Sequence, residues 1–216
     1  MTTKIAPSIL AANFQWLQRE IVLAEEGGAD LFHLDVMDGR FVPNISFGPM
    51  VIETVKKSTN LPLDVHLMVE APRVILRATV DAGADSVTVH AELSEDIGAL
   101  IEDIRRYGVN VGVSIKPRTP VDDLIPYLGK IDVALIMSVE PGFGGQPYIP
   151  SSTEKIAALR RLIDSGGYHV EIEVDGGIVP AVAREVAKAG GNILAVGSSV
   201  FRGQSIAQNI MALREA

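Results

Sequence analysis

Cysteine is absent from the 216-residue sequence. This absence excludes disulfide bonds, thiolate metal sites and a cysteine nucleophile, and it is consistent with a reducing compartment. Any metal site in this chain must therefore be built from histidine and carboxylate side chains.

Positive charge is also scarce. The chain has 19 Lys and Arg residues against 27 Asp and Glu residues, which gives a formal net charge of −8. This is the wrong sign for a protein that binds the nucleic acid backbone. We therefore expect no nucleic-acid partner, and any bound phosphate must be held by local groups.

Long apolar runs are missing as well. No stretch approaches the roughly 20 apolar residues that a membrane-spanning helix needs. Residues 1–4 lead directly into an apolar strand and lack the apolar region and cleavage site of a signal peptide. We expect a cytoplasmic protein without a membrane partner.

What the sequence does contain is a regular alternation of short β-rich runs with segments of helical spacing. Hydrophobic residues make up 47% of the chain, enough for one large core. The pattern predicts helices after the N-cap residues Asn13 and Ser94. The predicted strands are residues 5–10, 31–37, 63–68, 86–90, 109–115, 133–139, 169–174 and 193–196.

Eight strand-helix units predict the α/β class and a single (β/α)8 TIM barrel that spans residues 1–216. No linker or low-complexity segment interrupts the alternation. A doubly wound open sheet would give a similar pattern. We favour the barrel because the residues with chemical potential fall at the C-terminal ends of the strands, where barrel active sites are built.

Polar residues alternate with apolar ones on the second and third strands. His33, Asp35 and Met37 share one face of the second strand, and Asp64, His66 and Met68 share one face of the third. The polar faces are expected to point into the mouth of the barrel. The other interpretation of His33 and Asp35 is a satisfied polar pair beneath a loop.

The seventh strand brings a further acid to the same rim. Asp175 follows the strand directly, whereas Glu171 and Glu173 lie deeper and are expected to be structural. Two imidazoles and two carboxylates suit one divalent metal ion, with Zn, Mn or Fe as candidates and Co also compatible. The predicted metal ligands are His33, Asp35, His66 and Asp175.

Three glycine-rich turns follow the sixth, seventh and eighth strands. Glycine allows backbone N–H groups to approach an anion closely, and many barrels bind phosphate after strands seven and eight. Ordinary tight turns would explain any one of these segments alone. The residues concerned are Gly142, Gly144 and Gly145, then Gly176 and Gly177, then Gly197, Ser198 and Ser199.

Five blocks in this order resemble the ribulose-phosphate 3-epimerase family. They are APSIL at 6–10, HLDVMDG at 33–39 with FVPN at 41–44, LDVHLM at 63–68, PGFGGQ at 141–146 and EVDGG at 173–177. The resemblance implies a homo-oligomeric enzyme of the pentose phosphate pathway. Such an enzyme interconverts D-ribulose 5-phosphate and D-xylulose 5-phosphate through a metal-stabilised enediolate.

The same resemblance assigns roles to individual residues. It implies that Asp35 and Asp175 transfer the proton at C3, and that both are metal ligands with His33 and His66. It further implies that Ser8 and His66 contact the oxygens of the substrate, and that Met37, Met68 and Met137 form an apolar lining. The implied phosphate-binding residues are Gly142, Phe143, Gly144, Gly145, Gly176, Gly177, Gly197 and Ser198.

Three other functions compete with this one. A 3-epimerase of a hexulose 6-phosphate such as D-allulose 6-phosphate would use the same metal and acids. A non-catalytic phosphate-binding barrel would need only the glycine-rich turns. A barrel decarboxylase of a β-keto acid phosphate is disfavoured because its motif needs a lysine between two acids, and the second strand has His33 and no lysine.

Overall fold

Eight parallel strands form the centre of the computed structural model, which describes residues 3–216. Each strand pairs with its neighbour in the order β1-β8-β7-β6-β5-β4-β3-β2, and a single parallel bridge from Ser8 to His33 joins the two edge strands. The sheet is therefore a nearly closed barrel. The strands are β1 (Lys4–Pro7), β2 (Phe32–Met37), β3 (Leu63–Met68), β4 (Ser86–His90), β5 (Asn110–Ile115), β6 (Val133–Met137), β7 (Glu171–Asp175) and β8 (Ile193–Val196).

Helices connect the strands on the outside of the barrel. The α-helices are α1 (Leu17–Glu26), α2 (Pro49–Lys56), α3 (Pro72–Asp81), α4 (Ile97–Arg106), α5 (Ser151–Gly166), α6 (Pro180–Ala189), α7 (Ser198–Phe201) and α8 (Ile206–Arg214). The alternation of strands and helices confirms the predicted (β/α)8 TIM barrel.

The connection between β5 and β6 departs from the regular pattern. A short 3-10 turn, Val121–Leu124, stands where the alternation predicts an α-helix. Pro120 precedes this turn and Pro126 follows it closely. A proline lacks the backbone N–H that a growing helix needs and clashes with the preceding turn, so these two prolines restrict the helix to one short turn.

Several predicted boundaries are corrected by the structure. The first strand ends at Pro7 rather than residue 10, because Ile9–Ala11 forms a 3-10 turn. Asn13 caps a 3-10 turn before α1 begins at Leu17. The prediction that Ser94 caps α4 is wrong.

The residue that caps α4 is Asp96. Its side chain accepts a hydrogen bond from the backbone N–H of Ala99 at 3.1 Å. Asp96 lies directly before Ile97, the first helical residue, which is the position from which a carboxylate reaches the unpaired N–H groups of the first turn.

The two faces of the second strand are separated as predicted. Phe32, Leu34 and Val36 belong to the apolar layer that lies between the strands and the surrounding helices, and each is at most 3% exposed. Each fully buried side chain of this size contributes roughly 1.5–3 kcal/mol to stability. With these residues facing outward, alternation directs His33 and Asp35 to the inside of the barrel.

Similar glycine turns fasten the N-terminal ends of three strands. Gly83 has a φ of 108°, a conformation that residues with a Cβ rarely adopt. Two residues later, the Asp85 side chain accepts a hydrogen bond from the backbone N–H of Leu63 at 2.8 Å. The equivalent contacts join Asp30 to Ile5 at 2.7 Å and Asn192 to Ile172 at 2.9 Å.

Met1 and Thr2, which belong to the N-terminal segment that predicts no signal peptide, lie outside the described residues. In the part of the chain that is described, none of the helices has the length and apolar character required to cross a bilayer.

Candidate active site

A cavity of about 580 Å³ opens at the C-terminal ends of the strands. Every predicted substrate-binding residue except His66 lines it, and so do Asp35 and Asp175. His66 is fully buried beside the cavity. The lining residues from the prediction are Ser8, Met37, Met68, Met137, Gly142, Phe143, Gly144, Gly145, Gly176, Gly177, Gly197 and Ser198.

The four predicted metal ligands meet at the floor of this cavity. His33, Asp35, His66 and Asp175 each offer one nitrogen or oxygen atom, and these atoms all lie within 4.8 Å of one another. Asp35 and His66 are direct neighbours in the pairing of β2 with β3, whereas Asp175 comes from β7. The barrel thus brings together residues that are distant in the sequence.

Asp35 lies at the centre of this cluster. Its Oδ2 accepts a hydrogen bond from the Ser8 hydroxyl at 2.8 Å. Its Oδ1 lies 3.3 Å from His33 Nε2 and 3.3 Å from His66 Nδ1. One carboxylate therefore faces two imidazole rings and one hydroxyl group.

The orientation of His33 is set from the interior of the barrel. Its Nδ1 lies 3.0 Å from Asp64 Oδ2 and 3.0 Å from Glu173 Oε1. Burial raises the pKa of Asp64, but the hydrogen bond and charge of His33 are among the causes that lower it below its usual value. Asp64 is therefore an ionised acceptor, and His33 Nδ1 carries a proton. The lone pair of a neutral ring is then on Nε2, facing Asp35. His33 Nε2 and Asp35 Oδ1 are then two acceptors only 3.3 Å apart. Such a pair needs a cation or a proton between the two atoms.

The charges around His33 favour a proton at that position when no metal ion is bound. Burial lowers the pKa of His33, but the charges of Asp35 and Glu173 outweigh burial and raise it well above its usual value. A metal ion would instead use the lone pairs of both imidazoles and the two carboxylates. This donor set fits a divalent transition ion.

The two aspartates that line the cavity differ in their electrostatics. Burial raises the pKa of Asp35, but His33 and His66 outweigh burial and lower it below the ordinary range. Burial and the nearby Asp35 charge raise the pKa of Asp175 to about 7. The arrangement can therefore hold one ionised and one protonated carboxyl group near neutral pH.

Deeper in the barrel, Glu173 is a fully buried acid. Burial and the charge of Asp64 raise its pKa to about 8. Its partner is His33, as described above. Glu171 instead lies at the opposite end of the barrel and pairs with Lys4 at 2.8 Å, where both side chains are nearly half exposed.

The glycine-rich turns differ in why they need glycine. A Cβ on Gly177 would lie 2.2 Å from the backbone nitrogen of Tyr148, and Gly177 has a φ of 67°. A Cβ on Gly176 would lie 2.5 Å from Val139. Gly144, by contrast, has no atom within 4 Å of that position. Packing therefore requires glycine at 176 and 177, but it does not at 144.

The three predicted lining methionines line the same cavity as Asp35 and Asp175. Met37 and Met68 pack together with Val42, and Met137 packs against Val139. Each methionine is at most 4% exposed. Because a thioether is apolar and carries no acidic proton, these side chains exclude water without adding a proton donor.

The position of His90 at the end of the fourth strand predicts contact with the site, whereas two other residues near the site, Glu92 and Arg202, are poorly marked in the sequence. His90 ends β4 and contacts His66, and Glu92 contacts His90 in turn. Arg202 is the one cationic side chain among the described residues that line the cavity. Arg202 directly follows α7 and is exposed, and no periodic pattern marks it. Only its short separation in sequence from the glycine turn at Gly197 indicates that it lies near the site.

His169 begins the predicted seventh strand, so the sequence places it at the end of the barrel opposite the site and predicts a structural role. The structure shows it exposed there.

Solved structures show that the fold occurs in several enzymes. Phosphoribosyl anthranilate isomerase from Thermus thermophilus matches with a TM-score of 0.69 and 17% identity, covering 99% of this chain and 97% of that one. Orotidine 5'-phosphate decarboxylase from Pyrococcus horikoshii matches with a TM-score of 0.72 and 14% identity, covering 98% and 97%. At these identities the likeness concerns the fold alone.

Sequence comparison is more specific. The profile of the ribulose-phosphate 3 epimerase family matches residues 4–201. Ribulose-phosphate 3-epimerase from Bacillus subtilis is 47% identical, covering 94% of this chain and 93% of that protein. The chloroplastic ribulose-5-phosphate-3-epimerase of Arabidopsis thaliana is 43% identical, covering 97% and 75%. This chain therefore belongs to the ribulose-phosphate 3-epimerase family.

Proposed function

We propose that the protein inverts C3 of a ketopentose phosphate and so interconverts D-ribulose 5-phosphate and D-xylulose 5-phosphate. The observation that carries this proposal is the pair Asp35 and Asp175, which line one cavity within a region that matches the family throughout. Inversion needs an acid and a base on opposite faces of one carbon. Two carboxyl groups on different strands suit that requirement.

One divalent metal ion, Zn, Fe, Mn or Co, is proposed as the cofactor. The proposed ligands are His33, Asp35, His66 and Asp175. Their support is the convergence of four donor atoms within 4.8 Å and the facing lone pairs of His33 and Asp35. When bound, such an ion supplies positive charge to the oxygens beside the reacting carbon, which makes the C–H bond more acidic.

The proton transfer is assigned to the two aspartates. One carboxylate takes the proton from C3, and the other carboxyl group delivers a proton to the opposite face. The opposite pKa shifts of Asp35 and Asp175 favour a start with one group ionised and the other protonated. The roles exchange when the reaction runs in the other direction. The Ser8 hydroxyl holds Asp35 in place at 2.8 Å.

The phosphate group is assigned to the other end of the cavity. Backbone N–H groups of the three glycine-rich turns would surround it, since bare backbone approaches an anion closely. Arg202 adds positive charge at the same rim. The proposed binding residues are Gly142, Phe143, Gly144, Gly145, Gly176, Gly177, Gly197 and Ser198. Met37, Met68 and Met137 exclude water from the reacting carbon.

A direct assay tests the proposed function. The purified protein, loaded separately with each of the four metals, is given D-ribulose 5-phosphate and D-allulose 6-phosphate in deuterated water. We expect faster turnover of the pentulose and incorporation of deuterium at C3. Faster turnover of the hexulose would contradict this proposal and show that the protein is a hexulose-phosphate 3-epimerase. Absence of deuterium at C3 in both sugars would identify a non-catalytic phosphate-binding barrel.

Two further properties remain predictions. We propose a homo-oligomer in the cytoplasm, in line with the resemblance and with the absence of cysteine. Light scattering after size-exclusion chromatography measures the first, and fractionation of the source cells measures the second. A monomer at micromolar concentration would contradict the oligomer.

A further inference from the structure

A row of hydrogen bonds leads away from the metal cluster through the wall of the barrel. His66 Nε2 lies 2.9 Å from His90 Nε2. His90 Nδ1 lies 2.9 Å from Glu92 Oε2. Both imidazole rings are fully buried, and Glu92 is the outermost member of the row, with its side chain 20% exposed.

The proton positions along this row depend on one another. Burial raises the pKa of Glu92, but hydrogen bonds from His90, Lys116 and Thr119 lower it to about 2, so Glu92 is an ionised acceptor. His90 Nδ1 must therefore donate. With one proton on each ring, His90 Nε2 then accepts from His66 Nε2, and the lone pair of His66 is left on Nδ1.

His66 Nδ1 is the atom that faces the metal cluster. It lies 3.3 Å from Asp35 Oδ1, so Asp35 competes with Glu92 for a proton on this row. The contact of Glu92 with His90 is shorter, 2.9 Å. Asp35 already has the Ser8 hydroxyl and His33 Nε2 as partners, so the geometry favours the arrangement in which Glu92 accepts.

A metal ion binds only a ring nitrogen that carries a lone pair. We propose that Glu92 and His90 are positioning residues that hold His66 in the tautomer with Nδ1 free for the metal. The part of this inference that concerns metal affinity rests on the proposed function.

The surroundings fix Glu92 and His90 in place. Glu92 Oε1 accepts hydrogen bonds from the backbone N–H of Lys116 at 2.6 Å and from the Thr119 hydroxyl. The ring of Phe41 packs on His90 with 4.6 Å between centroids. Neither side chain can turn away from the row without breaking one of these contacts.

The segment that holds Glu92 is itself anchored. Lys155 Nζ, from α5, donates hydrogen bonds to the backbone carbonyls of Lys116, Pro117 and Thr119 at 3.0, 2.7 and 2.7 Å. The backbone N–H of Lys116 is therefore a fixed donor, and the atom opposite it must be an acceptor.

This fixed donor makes Glu92→Gln an informative substitution of nearly unchanged shape. The amide oxygen of the glutamine must face the Lys116 N–H, so its NH2 group faces His90 Nδ1. His90 Nδ1 then accepts, His90 Nε2 donates to His66 Nε2, and the proton of His66 moves to Nδ1. One exchanged atom thus reverses every hydrogen bond in the row and blocks the nitrogen that faces the cluster.

The test compares wild type, Glu92→Gln and the control Glu95→Gln, whose wild-type partner is Arg73 at 2.6 Å. Nitrogen-15 chemical shifts of the histidine rings, measured after a chelator has removed any metal ion, report which ring nitrogen of His66 carries the proton. Competition with a chromogenic chelator at fixed pH gives the affinity for Zn²⁺. We expect a proton on Nε2 of His66 in wild type and control, and on Nδ1 in Glu92→Gln. Zn²⁺ should bind Glu92→Gln roughly 10- to 100-fold more weakly.

Two results would overturn the inference. One is a wild-type His66 that carries its proton on Nδ1, which can be measured whether or not the variant folds. The other is a folded Glu92→Gln protein with the tautomer and Zn²⁺ affinity of wild type. Neither readout requires turnover, so a protein that lacks epimerase activity but shows the expected tautomers would refute the proposed function and leave this inference standing.

A second variant separates orientation from simple packing. His90→Phe keeps a ring of similar size but removes both nitrogen atoms, whereas His90→Gln retains one donor and one acceptor. We expect weaker Zn²⁺ binding by the phenylalanine variant and partial recovery by the glutamine variant. Equal affinities in the two variants would assign His90 a packing role and contradict the inference.

Discussion

Asp35 and Asp175 offer oxygen atoms within 4.8 Å of each other, yet the pKa of Asp35 lies below its usual range and that of Asp175 is about 7. The difference arises because two imidazoles face Asp35, whereas Asp175 faces the charge of Asp35 itself. Two acids so close to each other titrate as a coupled pair. Their opposite shifts give the asymmetry that a transfer of one proton requires.

The raised pKa of Asp175 predicts how the stability of the protein depends on pH once a chelator has removed any metal ion. A carboxyl group whose folded pKa exceeds its unfolded value stabilises the fold at low pH, and this contribution is lost as the pH rises. We expect the contribution of Asp175 to the free energy of unfolding to fall between pH 4 and 7 by up to about 1.4 kcal/mol per pH unit. Urea denaturation at several pH values measures this slope.

Asp175→Asn should make that slope shallower, because the amide does not titrate. Glu26→Gln, on the exposed side of α1, is the matched control and should retain the slope of wild type. A slope unchanged by Asp175→Asn would place the titration elsewhere, with Glu173 the next group to replace.

The two-aspartate scheme predicts the effect of removing either acid. Asp35→Asn and Asp175→Asn should each lower kcat by roughly 100- to 10,000-fold, the usual contribution of a general acid or base. Thermal unfolding should show that both variants still fold. The variants should be assayed in both directions, with the metal content measured for each. Retained turnover in either folded variant would contradict a role for both acids.

The cluster was predictable because strand periodicity fixes which side chains share a face. His33 and Asp35 differ by two positions, so they must point the same way, and the C-terminal ends of parallel strands meet at one rim. The same reasoning placed Asp175 at the rim of β7. The sequence therefore contained enough information to predict the four residues together.

The contacts behind the cluster were not predictable in the same way. The approach of Glu173 to His33 depends on the relative register of two strands, β2 and β7, that are not neighbours in the barrel, and no local pattern records this register. The approach of Glu92 to His90 depends on a loop held by Lys155 from a distant helix. The 3-10 turn Val121–Leu124 shows a local cause, two prolines, that overrode the global alternation.

The glycine turns predict two different outcomes of substitution. Gly144→Leu meets no atom within 4 Å at its Cβ, so this variant should fold normally. It should raise KM on the order of tenfold by obstructing the phosphate, and a tenfold change equals about 1.4 kcal/mol.

Gly177→Ala would clash with the backbone of Tyr148 at 2.2 Å and should lower stability by roughly 2 kcal/mol or more. Steady-state kinetics and urea denaturation distinguish the two effects. An unchanged KM in Gly144→Leu would remove residue 144 from the phosphate site.

Arg202 gives the last prediction, because its positive charge lies at the rim beside the turn of Gly197 and Ser198. Arg202→Gln should raise KM by roughly fivefold and leave kcat unchanged, as expected for an exposed ion pair of about 1 kcal/mol. The increase should shrink at high salt, because ions screen exposed charges.

Arg118→Gln is the matched control for this experiment. Arg118 lies on the loop after β5 with its side chain 95% exposed and its guanidinium 3.7 Å from Glu140. It is not among the residues that line the cavity, so its replacement should leave KM unchanged at every salt concentration. Inorganic phosphate, used as a competitive inhibitor, should bind Arg202→Gln more weakly than either wild type or the control. Equal inhibition of all three proteins would show that Arg202 does not contact the phosphate, and the backbone N–H groups of the glycine turns would then hold it without a cation.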